Sequence, residues 1–138
     1  MIVVDTNVVA YLWIPGDQTQ LSEKLLVRDR SWVAPTLLRS ELRNVLVTNM
    51  RAGRLTLESG TRIAREVDAQ FRNNLFAVGD DDVLRVAMES GCTGYDAEFA
   101  ALALELEVPF VTTHKRLLRA LPNVACSLES MALGPGKG

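Results

Sequence analysis

Short apolar runs alternate along the chain with longer segments in which apolar residues recur every three or four positions. The short runs predict four or five strands, over residues 2–4, 32–34, 75–78, 108–112 and 124–128. The periodic segments predict helices, over residues 7–13, 21–27, 35–52, 56–71, 81–89, 95–106 and 115–121. Strands that alternate with helices are typical of an α/β domain with a parallel sheet.

Several residues mark where these helices should begin or end. We expect Asn7 or Thr6 to supply the oxygen that caps the first helix. Pro35 is expected to open the third helix, where its missing N–H would have no partner in any case. Gly53 and Gly91 suit the position just after a helix end, where a left-handed backbone is common.

Composition is that of an ordinary globular domain. The chain has 138 residues, of which 48% are hydrophobic and 23% charged. We expect one domain over residues 1–133 and a disordered tail over 134–138. No apolar run is long enough to cross a membrane, and the chain starts in a core strand rather than a signal peptide, which predicts a cytoplasmic protein. The net charge of −2 excludes a global basic field for nucleic acid, although a local basic patch would still bind phosphate.

Three acidic residues stand at positions that suit a shared site. Asp5 directly follows the buried strand 2–4, and ligands of α/β sheets bind outside the carboxyl ends of the strands. Glu41 falls on the apolar stripe of the helix 35–52, and Asp96 lies at the start of the helix 95–106. Mg²⁺ prefers carboxylate oxygens, and two such ions together can activate water for phosphodiester cleavage. The pattern indicates a metal-dependent site.

Each acid also has a simpler explanation. Asp5 could form the turn after a strand, and Glu41 could pair with Arg39 or Arg43 on its own helix. Asp96 could complete a capping box with Thr93 and have no metal role. Glu98 is either a solvated acid at the rim or a neighbour that supports the metal ligands.

The order and spacing of these residues resemble the PIN domain, in particular the small toxin ribonucleases of VapBC toxin–antitoxin pairs. Four segments carry the resemblance, and together they span nearly the whole chain. They are VVDTNVVAYL at 3–12, LRSELRNVL at 38–46, GYDAEFAALA at 94–103 and VTTHKRLL at 111–118. The first and third are the more specific, since the second is weak on its own.

The resemblance implies a three-layer α/β/α fold around a twisted parallel sheet, and cleavage of RNA that depends on Mg²⁺ or Mn²⁺. By matching position, Asp5, Glu41 and Asp96 would be the catalytic metal ligands. Thr112 would be a small hydroxyl residue near them, and Asn7 a hydrogen-bonding neighbour. The resemblance also implies two protein partners, a second copy of the chain and a cognate antitoxin.

His114 departs from the family pattern, which usually has an aspartate at this position. The imidazole could bind a softer ion such as Mn²⁺ or Zn²⁺, contact an RNA phosphate, or do little at the rim. In each case a second metal site would lose one negative charge. A degenerate PIN-like fold that only binds RNA or protein is therefore the alternative function.

Contacts with RNA phosphate are expected from basic residues near Glu41 and the fourth segment. These are Arg39, Arg43, Arg51, Arg54, Lys115, Arg116 and Arg119. Tyr11, Trp13 or Tyr95 could stack on an unpaired base. A phosphatase of the haloacid dehalogenase type is disfavoured, since it needs a second aspartate where Asn7 stands.

Overall fold

The computed structural model describes residues 1–134, which form five strands and eight helices. The strands are β1 (Ile2–Val4), β2 (Trp32–Pro35), β3 (Leu75–Phe76), β4 (Phe110–Thr112) and β5 (Ala125–Ser127). The helices are α1 (Thr6–Trp13), α2 (Thr19–Arg28), α3 (Leu38–Arg51), α4 (Leu57–Gln70), α5 (Asp80–Ser90), α6 (Gly94–Leu106), α7 (Lys115–Ala120) and α8 (Leu128–Leu133).

The five strands form one parallel sheet in the order β3-β2-β1-β4-β5. β1 is central, because Val3 pairs with Val33 on one side and with Phe110 on the other. Helices flank this sheet. The arrangement confirms the predicted α/β class and is consistent with the expected three-layer fold. The predicted strand 75–78 is shorter than expected and lies at the sheet edge.

The core is built where the central strands meet α6. Every residue of β1, β2 and β4 is buried, as expected for strands covered on both faces. α6 packs on these three strands and contributes small buried side chains such as Ala97 and Ala100. The rings of Phe99 and Phe110 stack with their centroids 6.0 Å apart and join this helix to β4. This contact packs the middle of α6 against the first residue of β4.

Asp5 is fixed between the sheet and α1. Its backbone N–H donates to the Val111 carbonyl at 3.0 Å, and its carbonyl accepts from the amides of Val8 and Val9. Asp5 is also the residue that caps α1, since its carboxylate accepts from the Thr6 amide. The prediction that Asn7 or Thr6 caps this helix is therefore wrong. A strand end and a helix start share one residue, so no separate capping residue is needed.

The prediction that Pro35 opens the third helix is also wrong. Pro35 is the last residue of β2 and pairs with Phe76 in the sheet, and α3 begins only at Leu38. The missing N–H of Pro35 costs no bond to β3, because the amides of Ala34 and Thr36 donate to the Asn74 and Phe76 carbonyls. The predicted role of Gly53 after α3 is confirmed by its positive φ of 78°.

The last helix, α8, was not predicted. The strand was expected to run to residue 128, but β5 ends at Ser127, whose side chain accepts from the Ser130 amide and caps α8. Leu128 and Ala132 then become the buried face of a helix rather than the end of a strand. The amide of Gly134 donates to the Ser130 carbonyl at 2.7 Å and ends α8.

Two expectations concern the chain end and the membrane. Residues 135–138 of the predicted disordered tail lie outside the described residues. Within residues 1–134, no helix combines the length and the apolar character that crossing a lipid bilayer requires. The two cysteines, Cys92 and Cys126, are both free thiols.

Candidate functional site

An open cleft of about 430 Å³ lies at the carboxyl end of β1. Its walls come from the start of α1, the first half of α3, the start of α6 and the residue before α7. The lining residues are Asp5, Thr6, Asn7, Leu37, Ser40, Glu41, Asn44, Val45, Tyr95, Asp96 and His114. The fold therefore brings the three predicted acidic residues to the same cleft.

Asp5 is held by hydrogen bonds to both of its carboxylate oxygens. The Thr112 hydroxyl donates to Oδ2 at 2.6 Å, and the Thr6 amide donates to Oδ1 at 2.7 Å. Burial raises the pKa of this carboxyl above its ordinary value. The two hydrogen bonds and the charge of His114 act to lower the pKa, while the charge of Asp96 raises it further. The net effect is a raised pKa, so the protein pays a free-energy cost to keep Asp5 ionised.

Glu41 is the second partly buried acid. It lies in the first turn of α3 between the buried side chains of Leu38 and Leu42. The Thr6 hydroxyl donates to Glu41 Oε1 at 2.6 Å. Burial raises the pKa of Glu41, the Thr6 hydrogen bond lowers it, and neighbouring negative charges, led by that of Asp5, raise it further. Glu41 does not pair with Arg39, because Arg39 forms its ion pair with Asp68 at 3.4 Å.

Thr6 was not among the predicted site residues, although it is 4% exposed and contacts two of the acids. Its amide donates to Asp5 and its hydroxyl donates to Glu41. The available signal was a hydroxyl residue directly after the strand-end aspartate. That signal alone does not show that Glu41, from another helix, would be the acceptor.

Asp96 lies in the first turn of α6, where its amide donates to the Thr93 hydroxyl at 3.1 Å. Only this half of the proposed capping box is formed within the described part of the chain, since the Asp96 carboxylate returns no hydrogen bond to Thr93. The helix start is therefore capped without the carboxylate. That side chain remains available to the cleft, where its charge raises the pKa of both Asp5 and Glu41.

The three acids line the same cleft. Within residues 1–134, none of them forms an ion pair with a lysine, arginine or histidine. Carboxylate oxygens are the ligands that Mg²⁺ and Mn²⁺ prefer, so the donor set fits a hard divalent cation. In the same part of the chain, no three His, Cys, Asp or Glu side chains are already close enough to hold a metal ion. The chemistry of a metal site is present, but its ligands are not drawn together.

Thr112 links the fourth sequence segment to this cleft. It is fully buried, donates to Asp5, and accepts from the amide of His114 at 3.0 Å. His114 itself is exposed and lines the cleft at the start of α7. The position at which an aspartate was expected therefore does face the acids.

The other two predicted neighbours of the metal ligands occupy different places. Asn7 is exposed and lines the cleft, and its side chain has no hydrogen-bond partner in residues 1–134. Glu98 is not part of the lining, but its charge raises the pKa of Glu41, and burial raises its own pKa. The supporting roles expected for Asn7 and Glu98 stay predictions.

The basic residues expected to contact RNA are exposed but do not line the cleft. Arg116 donates to the Gly91 carbonyl at 3.4 Å, and Lys115 borders a separate depression between α2, α7 and α8. Arg39 and Arg43 lie on α3, the helix that carries Glu41. RNA contact by these side chains stays a prediction.

Comparisons with known proteins give one similar sequence and one similar structure. No family model matches the chain. It is 24% identical over 124 residues to Ribonuclease VapC3 from Pyrobaculum aerophilum, a match that covers 88% of this chain and 95% of that protein. The crystal structure of PAE2754, from the same organism, superposes with a TM-score of 0.76 at 26% identity, and covers 96% of this chain and 93% of that one.

Both matches support a VapC-like PIN domain. The family resemblance predicted from the four sequence segments is confirmed by both likenesses, which extend over nearly the whole chain. The cleft at the carboxyl end of β1 is the candidate active site.

Proposed function

We propose that this protein is a metal-dependent endoribonuclease and the toxin of a VapBC-type pair. The observation that carries the proposal is the cleft itself, which Asp5, Glu41 and Asp96 all line without an ion-pair partner in residues 1–134. The relative named Ribonuclease VapC3 supports RNA as the substrate. The proposal includes action in the cytoplasm, a homodimer and a cognate antitoxin as partner.

The three cleft acids would hold Mg²⁺ or Mn²⁺ through their carboxylate oxygens. When bound, such an ion activates water and stabilises the leaving oxygen in phosphodiester hydrolysis. The protein prepares the site by fixing two of the acids: the hydroxyls of Thr112 and Thr6 orient Asp5 and Glu41. These bonds leave less side-chain freedom to lose when a charged ligand arrives.

The same hydrogen bonds also set the charge of the site. They stabilise the ionised forms of Asp5 and Glu41 against burial, although not enough to offset it. The acids therefore remain available as anions near neutral pH only at a cost, and a cation or a positively charged partner relieves that cost. An antitoxin side chain with a positive charge would have the same effect as a metal and would block the site.

A circular RNA of unstructured sequence tests the proposal, because only an endonuclease can open it. We expect linear product in Mg²⁺ or Mn²⁺, no product after chelation, and recovery when either ion is added back. Asp96→Asn, purified in parallel, should abolish the activity and so exclude a contaminating nuclease. Intact circles with the wild-type protein in both ions would overturn the proposal.

One observation favours a second candidate, a PIN-like module that binds RNA or protein without cutting. His114 faces the cleft where the family usually has an acid, so the site has one carboxylate fewer. This candidate predicts that the wild-type protein leaves the circle intact while binding it equally well with and without a divalent ion. Cleavage that depends on the ion excludes it.

A further inference from the structure

Tyr95 is an exposed aromatic side chain that lines the cleft. It is 66% exposed, although it lies in the first turn of α6, a helix whose body is buried. Its ring stacks on no other aromatic ring, and its hydroxyl has no hydrogen-bond partner within residues 1–134. An aromatic side chain so placed leaves a large apolar surface in water, which is unfavourable unless something covers it.

The position of Tyr95 ties it to the cleft. It directly precedes Asp96 and lines the same cleft as Asp5 and Glu41. The wall from α3 adds two apolar side chains, Leu37 and Val45, beside the acids. The cleft therefore combines a charged floor with an aromatic and aliphatic margin.

The two polar residues of the α3 wall complete this margin. Ser40 and Asn44 are both exposed and line the cleft between Leu37 and Val45 along the helix. An amide and a hydroxyl can donate to and accept from the edge of a base. A flat apolar face with a few polar groups at its border matches the chemistry of a nucleobase.

Only an unpaired base can stack on such an aromatic surface. In a duplex both faces of a base are already stacked on its neighbours, so a protein ring cannot reach them. In a single strand the base can turn out and stack on an aromatic side chain, largely irrespective of its identity. A ring beside the carboxylates would therefore favour unpaired RNA at the cleavage point.

We propose that Tyr95 is a stacking residue for an unpaired base next to the cleaved phosphate, with Leu37 and Val45 as further apolar contacts in the same cleft. This inference rests on the proposed ribonuclease function and deepens it, because it assigns the preference for single-stranded RNA to one side chain. Coverage of Tyr95 by a protein partner instead is the competing outcome of the test.

Binding without cleavage separates this role from catalysis. All variants are made in the Asp5→Asn background, and their affinity for RNA is measured by fluorescence anisotropy. The probes are a labelled single-stranded RNA, its duplex, and a series of single strands that each lack one base. Tyr95→Leu keeps apolar bulk without a ring, Tyr95→Trp keeps a ring, and Met88→Ala removes an exposed apolar side chain of α5 as a matched control.

We expect Tyr95→Leu to weaken single-strand binding at least tenfold, equivalent to about 1.4 kcal/mol, and to leave duplex binding unchanged. Tyr95→Trp should restore the affinity, and Met88→Ala should not alter it. Removing the one base that stacks should weaken RNA binding by the parent protein. It should not weaken binding by Tyr95→Leu any further, because that variant has already lost the contact with this base.

Equal affinities of Tyr95→Leu and its parent for the single strand would overturn the stacking role. So would an equal loss on single strand and duplex, or a loss that persists whichever base is removed. If the wild-type protein also cuts circular RNA, only the stacking role fails. If it neither binds nor cuts RNA, the ribonuclease proposal fails first and takes this inference with it.

Discussion

Two acidic clusters of the same formal charge show how differently carboxylates behave in this fold. Asp80, Asp81 and Asp82 are consecutive and start α5, where negative charge is favourable at a helix N-terminus. Two of them are exposed, and Asp82 pairs with Arg85. The cleft acids come from three distant parts of the chain, and none is paired with a cation in residues 1–134.

The difference between the two clusters indicates which carboxylates belong to a functional site. The run at residues 80–82 is conspicuous in the sequence and supports its own helix. The cleft acids are inconspicuous one by one, but burial and mutual repulsion raise the pKa of Asp5 and Glu41. Carboxylates kept in an unfavourable setting mark a site that is built to receive a cation.

The largest expected difference between the two acidic clusters is in the rate of RNA cleavage. We expect Asp5→Asn to lower the rate of RNA cleavage by about 100-fold or more, since it removes charge at the reacting centre. Asp81→Asn, which removes the same charge from the start of α5, should leave the rate within about twofold. Single-turnover cleavage of a labelled RNA measures both. Similar losses in the two variants would remove the distinction.

His114 offers a way to strengthen the cleft. Replacing it with aspartate restores the acid that the family pattern has at this position. We expect His114→Asp to raise the cleavage rate in Mg²⁺ by roughly tenfold, because hard cations bind carboxylate better than imidazole. His114→Asn, which lacks the charge, is the control. An unchanged or lower rate in the aspartate variant would show that the site does not lack a ligand.

Stability should respond to Asp5 in the opposite direction from activity. Burial raises its pKa in the folded protein, so its contribution to stability is fully present below the unfolded pKa of about 3.9. That contribution is lost as the pH rises through the folded pKa. We therefore expect Asp5→Asn to stabilise the metal-free protein by about 1 kcal/mol at neutral pH.

Urea unfolding in a chelator measures this difference. The advantage of Asp5→Asn should be largest at about pH 8 and shrink towards about pH 4, as the wild-type carboxyl takes up its proton. An advantage that is the same at both ends of the range would mean that ionisation is not its cause. If Asp5→Asn were less stable than the wild type at neutral pH, the claim that the ionised Asp5 carboxylate destabilises the fold would be contradicted.

The smallest effect is expected at the start of α5. Asp81→Asn removes a charge that interacts favourably with the helix dipole, and should destabilise the protein by about 0.5 kcal/mol or less. The sign is opposite to that for Asp5, which makes the pair of variants informative together. The same urea experiment applies, and stabilisation by Asp81→Asn would count against the comparison.

Much of the fold could be predicted because it depends on local patterns. The buried run of β1 followed by Asp5, the apolar stripe that carries Glu41 and the alanine-rich α6 are all visible within short windows. The five strands follow from the same signals. The errors over the starts of α1 and α8 have one cause: a strand end adjoins a helix start at Asp5 and at Ser127, and local propensity cannot show which element such a residue joins.

The contacts of the site could not be predicted in the same way. The bond from Thr6 to Glu41 and the bond from Thr112 to Asp5 join elements that meet only through the strand order of the sheet. The apolar margin of the cleft depends on which turn of α3 faces α6. These contacts join residues that are far apart in the sequence, so they become visible only in the three-dimensional structure.

Calorimetric titration with Mn²⁺ tests the central claim most directly, because it asks whether the cleft acids together hold a divalent cation. We expect the wild-type protein to bind Mn²⁺, Asp5→Asn to lose this binding, and Asp81→Asn to bind as the wild type does. A wild-type protein that shows no binding, or an Asp5→Asn variant that binds equally well, would contradict it.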